Sequence, residues 1–179
     1  IILFVLNYLS TRSYGESAFI FAGIKGLTVL VFLFAGTLLI LGLGPEPSPG
    51  FTNWTIGDAP FVGGFTAMLG IFMVAGFSFQ GTEMIGIAAG ESEDPEKNVP
   101  RAVHSIFWRI LIFYIGSIFI ILCIYPWNEV SYIGSPFVMT FAKVGISAAA
   151  GIINFVVLTA ALSGCNSGMY SSGRMLYTL

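Results

Sequence analysis

The sequence predicts an all-α, polytopic membrane protein, and three observations carry that prediction. Only 9% of the 179 residues are charged and 56% are hydrophobic, against about 25% and about 45–50% in soluble domains. The apolar residues gather into four long runs, each of the roughly 20 residues or more that a helix needs to cross a bilayer. The connectors between the runs hold most of the prolines and most of the clustered charge.

The elements follow in chain order. Residues 1–10 are too short to span and read as the last part of a partial helix. The chain opens on Ile1 inside this apolar run, with no basic leader, so it is expected to be an internal piece of a longer protein. Residues 18–43 form the first full span. Residues 44–60 contain Pro45, Pro47, Pro49 and Pro60 and read as loop. Residues 60–90 form the second span, 102–125 the third and 146–172 the fourth. Between them, Glu91–Arg101 mixes four acids with two bases. This stretch is either a plain solvated loop or, with Pro95 and Pro100 stiffening it, a gating lever. Residues 126–136 are the third connector.

Charge orients the spans, because cytoplasmic loops are enriched in Lys and Arg. Arg12, Lys97 with Arg101, and Arg174 fall on one side of the membrane. The connectors 44–60 and 126–136 contain neither base and fall on the other. Lys143 is a mild exception near the outer face. Trp54 and Trp127 stand near the expected outer boundaries, where aromatic belts form. A multi-pass protein of the cell membrane is the resulting expectation.

Several function classes drop out. A net charge of −2 provides no basic field for nucleic acid. Cys123 and Cys165 lie inside apolar runs and read as buried small residues. His104 is the only histidine, which disfavours a zinc site. The sequence holds no phosphate loop, zincin motif or serine elbow, and its spans supply no paired aspartates. An enzyme is not expected, and no cofactor is.

The second span is the informative one. As a single helix its 31 residues would run about 46 Å, too long for an upright crossing. It contains seven glycines, and its centre reads Gly76, Phe77, Ser78, Phe79, Gln80, Gly81, Thr82, Glu83. One reading is a tilted, continuous helix whose glycines let neighbours approach, with Gly86 and Gly90 as a small-xxx-small pair. The other is a helix broken near 78–82. Non-helical backbone at membrane depth survives only where it lines a cavity buried in protein, and such breaks recur at transporter substrate sites. A carboxylate there costs at least about 2.5 kcal/mol on insertion scales, so Glu83 is a functional candidate. In a broken helix the carbonyl end near Ser78 suits an ammonium group. Glu83, at the start of the next half-helix, is placed to take up and release a proton.

Other polar groups sit inside spans. Lys25 either snorkels to the inner interface or is a buried ammonium standing where a coupling cation would sit. Thr159, Ser163, Asn166 with Ser167, and Tyr170 form one helix face. That face either packs against neighbours, helped by Gly164 and Gly168, or walls a wet cavity. Arg109 reads as snorkelling or as a contact of the acidic connector.

At these residues the sequence resembles the amino acid permeases of the amino acid–polyamine–organocation superfamily, most nearly the lysine-specific permease type. The resemblance is carried by Gly76–Glu83 (GFSFQGTE), Ile85–Ala102 (IGIAAGESEDPEKNVPRA), Phe107–Tyr114 (FWRILIFY), Ser135-Pro136-Phe137 and Thr159–Tyr177 (TAALSGCNSGMYSSGRMLY). It implies a partial leucine-transporter-type bundle: about four full transmembrane helices plus one partial, running from the end of helix 4 through helix 8. Residues 60–90 would be discontinuous helix 6. In that family the substrate's α-ammonium and carboxylate lie between broken helices 1 and 6, so Phe77, Ser78, Phe79, Gln80, Gly81, Thr82 and Glu83 would carry half the site. Lys25 would match the helix-5 lysine that replaces a sodium ion, with Ser163 and Asn166 near that cation site. Glu83 and Glu91 would supply negative charge. The implied function is secondary transport of an amino acid with protons by alternating access, a cationic amino acid such as lysine being the specific expectation. Neutral or aromatic amino acids are the alternative substrates, and a non-transporting channel or structural membrane subunit is the alternative class. The implied partners are the amino acid, protons, the lipid bilayer and the missing remainder of the same permease, helix 1 included.

Overall fold

The computed structural model describes residues 4, 11–45, 47–59, 61–92, 94–130, 132 and 134–178. At positions 11–13, 91 and 178 the description is of the backbone alone. The expected partial span over 1–10 therefore lies outside the described residues apart from Phe4. Among the described residues all regular structure is helical. The elements are α1 (Thr11–Ile40), α2 (Gly64–Ser78), α3 (Met84–Ala88), α4 (Pro95–Ile124), α5 (Pro136–Lys143) and α6 (Ala149–Thr178). Single 3-10 turns occupy Thr52–Thr55 and Ala89–Glu91.

Among the described residues three helical stretches are long and apolar enough to cross a membrane: Tyr14–Ile40, Pro95–Ile124 and Ala149–Tyr177. The chain is a multi-pass membrane protein. The second expected span, 60–90, is met by an interrupted segment, α2 followed by α3, rather than by one long helix. Its first helix starts at Gly64, not at 60, because Gly63 and Gly64 take φ of 72° and 63°, a left-handed entry that glycine adopts without strain.

The other bounds also differ from the sequence expectation. The first long helix already includes residues 11–17, ahead of the expected 18, and the last begins at 149 rather than 146 and is still helical at 178, past the expected 172. α4 begins at Pro95, inside the stretch expected to be a connector. Pro95 occupies the first helical turn, where a missing N–H costs nothing. Pro100 lies inside the helix. Within α4, Ile110–Ile115 is a π-helical stretch, so the backbone widens halfway across.

α1 is the central packing element. It lies against α6 on one side and the second half of α4 on the other, with α5 filling the end between them. Phe32, Ala35 and Leu39 of α1 are buried with Ile120, Ile124, Tyr125, Phe141, Ala149 and Ile153. In lipid no hydrophobic force joins apolar helices, so fit decides. The fully buried Phe32 ring meets Phe137 at 4.4 Å and Phe141 at 6.1 Å between centroids. The two base-free connectors meet at this same end of the bundle. Asn53 Nδ2 donates to the Cys123 carbonyl (2.7 Å), Trp54 Nε1 to Cys123 Sγ (3.3 Å) and Trp127 Nε1 to the Ile56 carbonyl (3.0 Å). At the other end, Tyr14 of α1 stacks on Tyr170 of α6 at 4.1 Å.

Candidate functional site

The site is built on the interruption between α2 and α3. Gly81 has φ +100°, a conformation that L side chains rarely adopt and that no α-helix passes through. The main chain from Ser78 to Met84 therefore turns on shorter bonds. Phe79 N–H donates to the Gly76 carbonyl (3.2 Å), Gln80 N–H to Phe77 (3.3 Å), Thr82 N–H to Phe79 (3.4 Å) and Met84 N–H to Gly81 (3.3 Å). The Glu83 carboxylate folds back and accepts the Gly81 N–H at 2.8 Å. The Ser78 carbonyl, one of the last carbonyls of α2, accepts the Tyr114 hydroxyl at 2.8 Å.

This turn faces a cavity of about 720 Å³, within the size range of small-molecule sites. Ser78–Met84 form one wall. α1 contributes Tyr14 and Lys25, α4 contributes Arg109, Phe113 and Tyr114, and α6 contributes Ser163, Gly164, Ser167 and Gly168. Lys25 Nζ donates to Ser163 Oγ at 2.9 Å, so the ammonium is held inside the bundle by α6. Three charged side chains line the space among the described residues: the cations Lys25 and Arg109 and the carboxylate Glu83.

Of the sequence candidates, the structure brings together Lys25, Ser163 and the stretch Ser78–Glu83. Phe77 is 78% exposed and is not among the lining residues. Asn166 is fully buried, outside the cavity lining, and its Nδ2 donates to Ser17 Oγ at 3.1 Å. It ties α6 to α1 at the edge of the polar face that carries Ser163. The Glu91 side chain lies outside the described residues. Arg109 and Tyr114 were missed as lining residues. Arg109 stands three residues after Ile106 and four before Phe113, the spacing of one helix face; Tyr114, five residues beyond Arg109, lies off that face in a regular α-helix and carried no such signal.

A family model described as Amino acid permease matches residues 1–179. The chain belongs to the amino acid permease family. It is 54% identical to the lysine-specific permease LysP of Escherichia coli strain K12, an alignment covering 99% of this chain and 38% of that protein. It is 50% identical to a probable threonine/serine transporter, YbxG, of Bacillus subtilis strain 168, covering 100% of this chain and 39% of the relative. It is 43% identical to the histidine permease HisP of Lactococcus lactis subsp. cremoris strain MG1363, again over 100% and 39%. The chain thus spans about two-fifths of the length of these relatives. No solved structure matches it. The family is one of permeases, not of enzymes. Relatives named for three different substrate types all match this same stretch, so overall similarity here does not single out a substrate.

Proposed function

We propose that this permease is an amino acid–proton symporter working by alternating access, and that the cavity wall described here is half of its substrate site. The observation that carries the reading is the placement of the interrupted turn Ser78–Glu83 opposite the Lys25–Ser163 pair across one cavity. Irregular backbone at membrane depth supplies main-chain groups for a zwitterion without exposing them to lipid. A lysine ammonium fixed inside the bundle gives the site a cation of its own where a coupling ion would otherwise be needed. Glu83, hydrogen-bonded to Gly81 N–H, is the candidate proton carrier, because its charge state feeds directly into the geometry of the binding turn.

Lysine is the proposed substrate, in line with the resemblance to lysine-specific permeases. A neutral amino acid is the second reading. It is favoured by the two cations and single carboxylate that line the cavity among the described residues, and by the similarity to a probable threonine/serine transporter. Uptake of labelled lysine by the full-length permease in proteoliposomes separates these readings. Lysine transport predicts saturable uptake that arginine inhibits more strongly than serine or phenylalanine, and that a protonophore collapses. Stronger inhibition by serine or phenylalanine moves the substrate to the second reading. Glu83→Gln is expected to reduce accumulation to passive equilibration. Proton-driven accumulation undiminished in that variant refutes the role of Glu83.

A further inference from the structure

We propose that Tyr114 is the positioning residue of the binding turn, and that the π-helical stretch of α4 exists to present it. The inference rests on the reading of Ser78–Glu83 as a substrate wall and adds the element that sets its shape.

Two contacts made by one side chain support it. The Tyr114 hydroxyl donates to the Ser78 carbonyl at 2.8 Å, and its ring stacks on Phe79, with centroids 5.7 Å apart and planes 16° from parallel. Ser78 is the last residue of α2 and Phe79 the first beyond it. Tyr114 therefore grips the chain on both sides of the point where the helix stops. A terminal carbonyl of a helix has no partner within the helix, and here the neighbouring helix provides one. The main-chain bonds of the turn are long, 3.2–3.4 Å, around a glycine at positive φ, and its one short bond, Gly81 N–H to the Glu83 carboxylate, lies within the turn itself, so an external anchor has leverage over where the turn sits.

The π stretch fits this role. Its wide turn is closed by Gly116 N–H on the Leu111 carbonyl, an i to i+5 bond that encloses Phe113 and Tyr114. Such turns bind the backbone less regularly and occur mostly at functional positions. The same helix face is a tight seam one turn further on, where Ser117 and Ile120 are buried. α4 thus passes from a packing face to a cavity face at the residues that hold α2.

The test uses the full-length permease with Tyr114→Phe, which keeps the ring and loses the hydroxyl, and Tyr114→Leu, which loses both. Tyr177→Phe, at an 85% exposed position near the end of α6, controls for loss of a phenol. Two readouts are taken per folded molecule: transport KM and maximal rate, and hydrogen–deuterium exchange of peptides covering residues 79–83. Tyr114→Phe is expected to raise KM and speed exchange about fivefold each, the effect of one neutral hydrogen bond. The maximal rate should stay within about twofold, with Tyr114→Leu further along the same line. Unchanged exchange overturns the proposal, and so does faster exchange with an unchanged KM. A merely structural tyrosine would lower the yield of folded protein and leave KM alone. If wild-type permease transports no amino acid, the functional reading fails instead, and exchange alone decides whether Tyr114 holds the turn.

Discussion

A close approach of two helices makes a quantitative prediction. Gly36 of α1 faces Ile120 of α4, and a Cβ added at Gly36 would lie 2.2 Å from Ile120 Cγ2 and 3.4 Å from its Cδ1. Carbon atoms prefer about 3.5–4.0 Å, so Gly36→Ala is short of room by more than an ångström. Ile120 cannot swing away. It is 5% exposed, and its Cγ2 hangs on a β-branched carbon with one favoured rotamer in a helix. The helices must part instead, and overpacking of this kind costs about 1–3 kcal/mol. Against that stands the gain of about 1 kcal/mol from replacing glycine by alanine in a helix. Gly23→Ala isolates this gain, because it lies on the same helix with nothing within 4 Å. The stability difference between the two variants is then the clash itself, about 1–3 kcal/mol. Unfolding of the full-length permease by sodium dodecyl sulfate in mixed micelles, followed by circular dichroism, measures it. Ile120→Ala should cost about 2–5 kcal/mol alone and less in the Gly36→Ala background, where it removes the clashing methyl. Gly36→Ala as stable as Gly23→Ala, with additive double-variant energies, would show that α1 and α4 do not meet at this point.

Two further outcomes concern the loop seam at the other side of that helix pair. Asn53→Ala removes the bond to the Cys123 carbonyl and should cost about 0.5–1.5 kcal/mol, with chymotrypsin cutting at Phe51 and Trp54 several times faster; cleavage at the wild-type rate would refute the clamp. Cys123 is 0% exposed with Trp54 Nε1 on its sulfur, so in a background with other cysteines replaced by serine it should resist maleimide until the protein unfolds. Trp54→Phe should open it to the reagent under native conditions, and rapid labelling of the Trp54-containing protein would refute the burial.

How far the sequence reached depends on whether each feature is local. The interrupted helix was legible because hydrocarbon forbids unsatisfied backbone, so glycine and polar residues clustered at mid-depth already demand an explanation. The start of α4 had a local signal that was outweighed by its charge: Asp94 followed by Pro95, with Glu96 in the first turn, is a helix entry. α5 carries the same kind of signal in Ser135-Pro136, but at eight residues it is shorter than any spanning pattern and fell into the gap between a connector and a span. The π stretch Ile110–Ile115 reads ILIFYI, a composition that an ordinary α-helix shares. Its wide turn shows only in the main-chain bond from Gly116 N–H to the Leu111 carbonyl, and its cavity role only once Tyr114 is seen on Ser78. Arg109 and Tyr114 were hidden for that reason, since a face becomes a cavity wall only when the opposite wall is in place.

The small residues make the same point in reverse. Sequence patterns pair Gly164 with Gly168 and Gly86 with Gly90 as sites of close helix contact, yet a Cβ at any of the four would meet nothing within 4 Å in the described chain. Between helices, close contacts that need a missing side chain are at Gly36 and at Gly116, where an added Cβ would lie 3.3 Å from Leu33, and neither belongs to a glycine-xxx-glycine pair. On α6 the two glycines line the cavity beside Ser163 and Ser167. There the absent side chains leave volume, and the hydroxyls left standing hold Lys25 and face the turn. Asn166, between them in sequence, points to Ser17 and fastens the helix. One helix therefore divides its polar stripe: amide and tyrosine pack against α1 outside the cavity, while the serines meet Lys25 and Tyr14 of α1 inside it. A polar cavity in lipid needs both, because an open, hydrogen-bonding wall keeps its shape only if the helices around it are fixed by contacts that lie outside it.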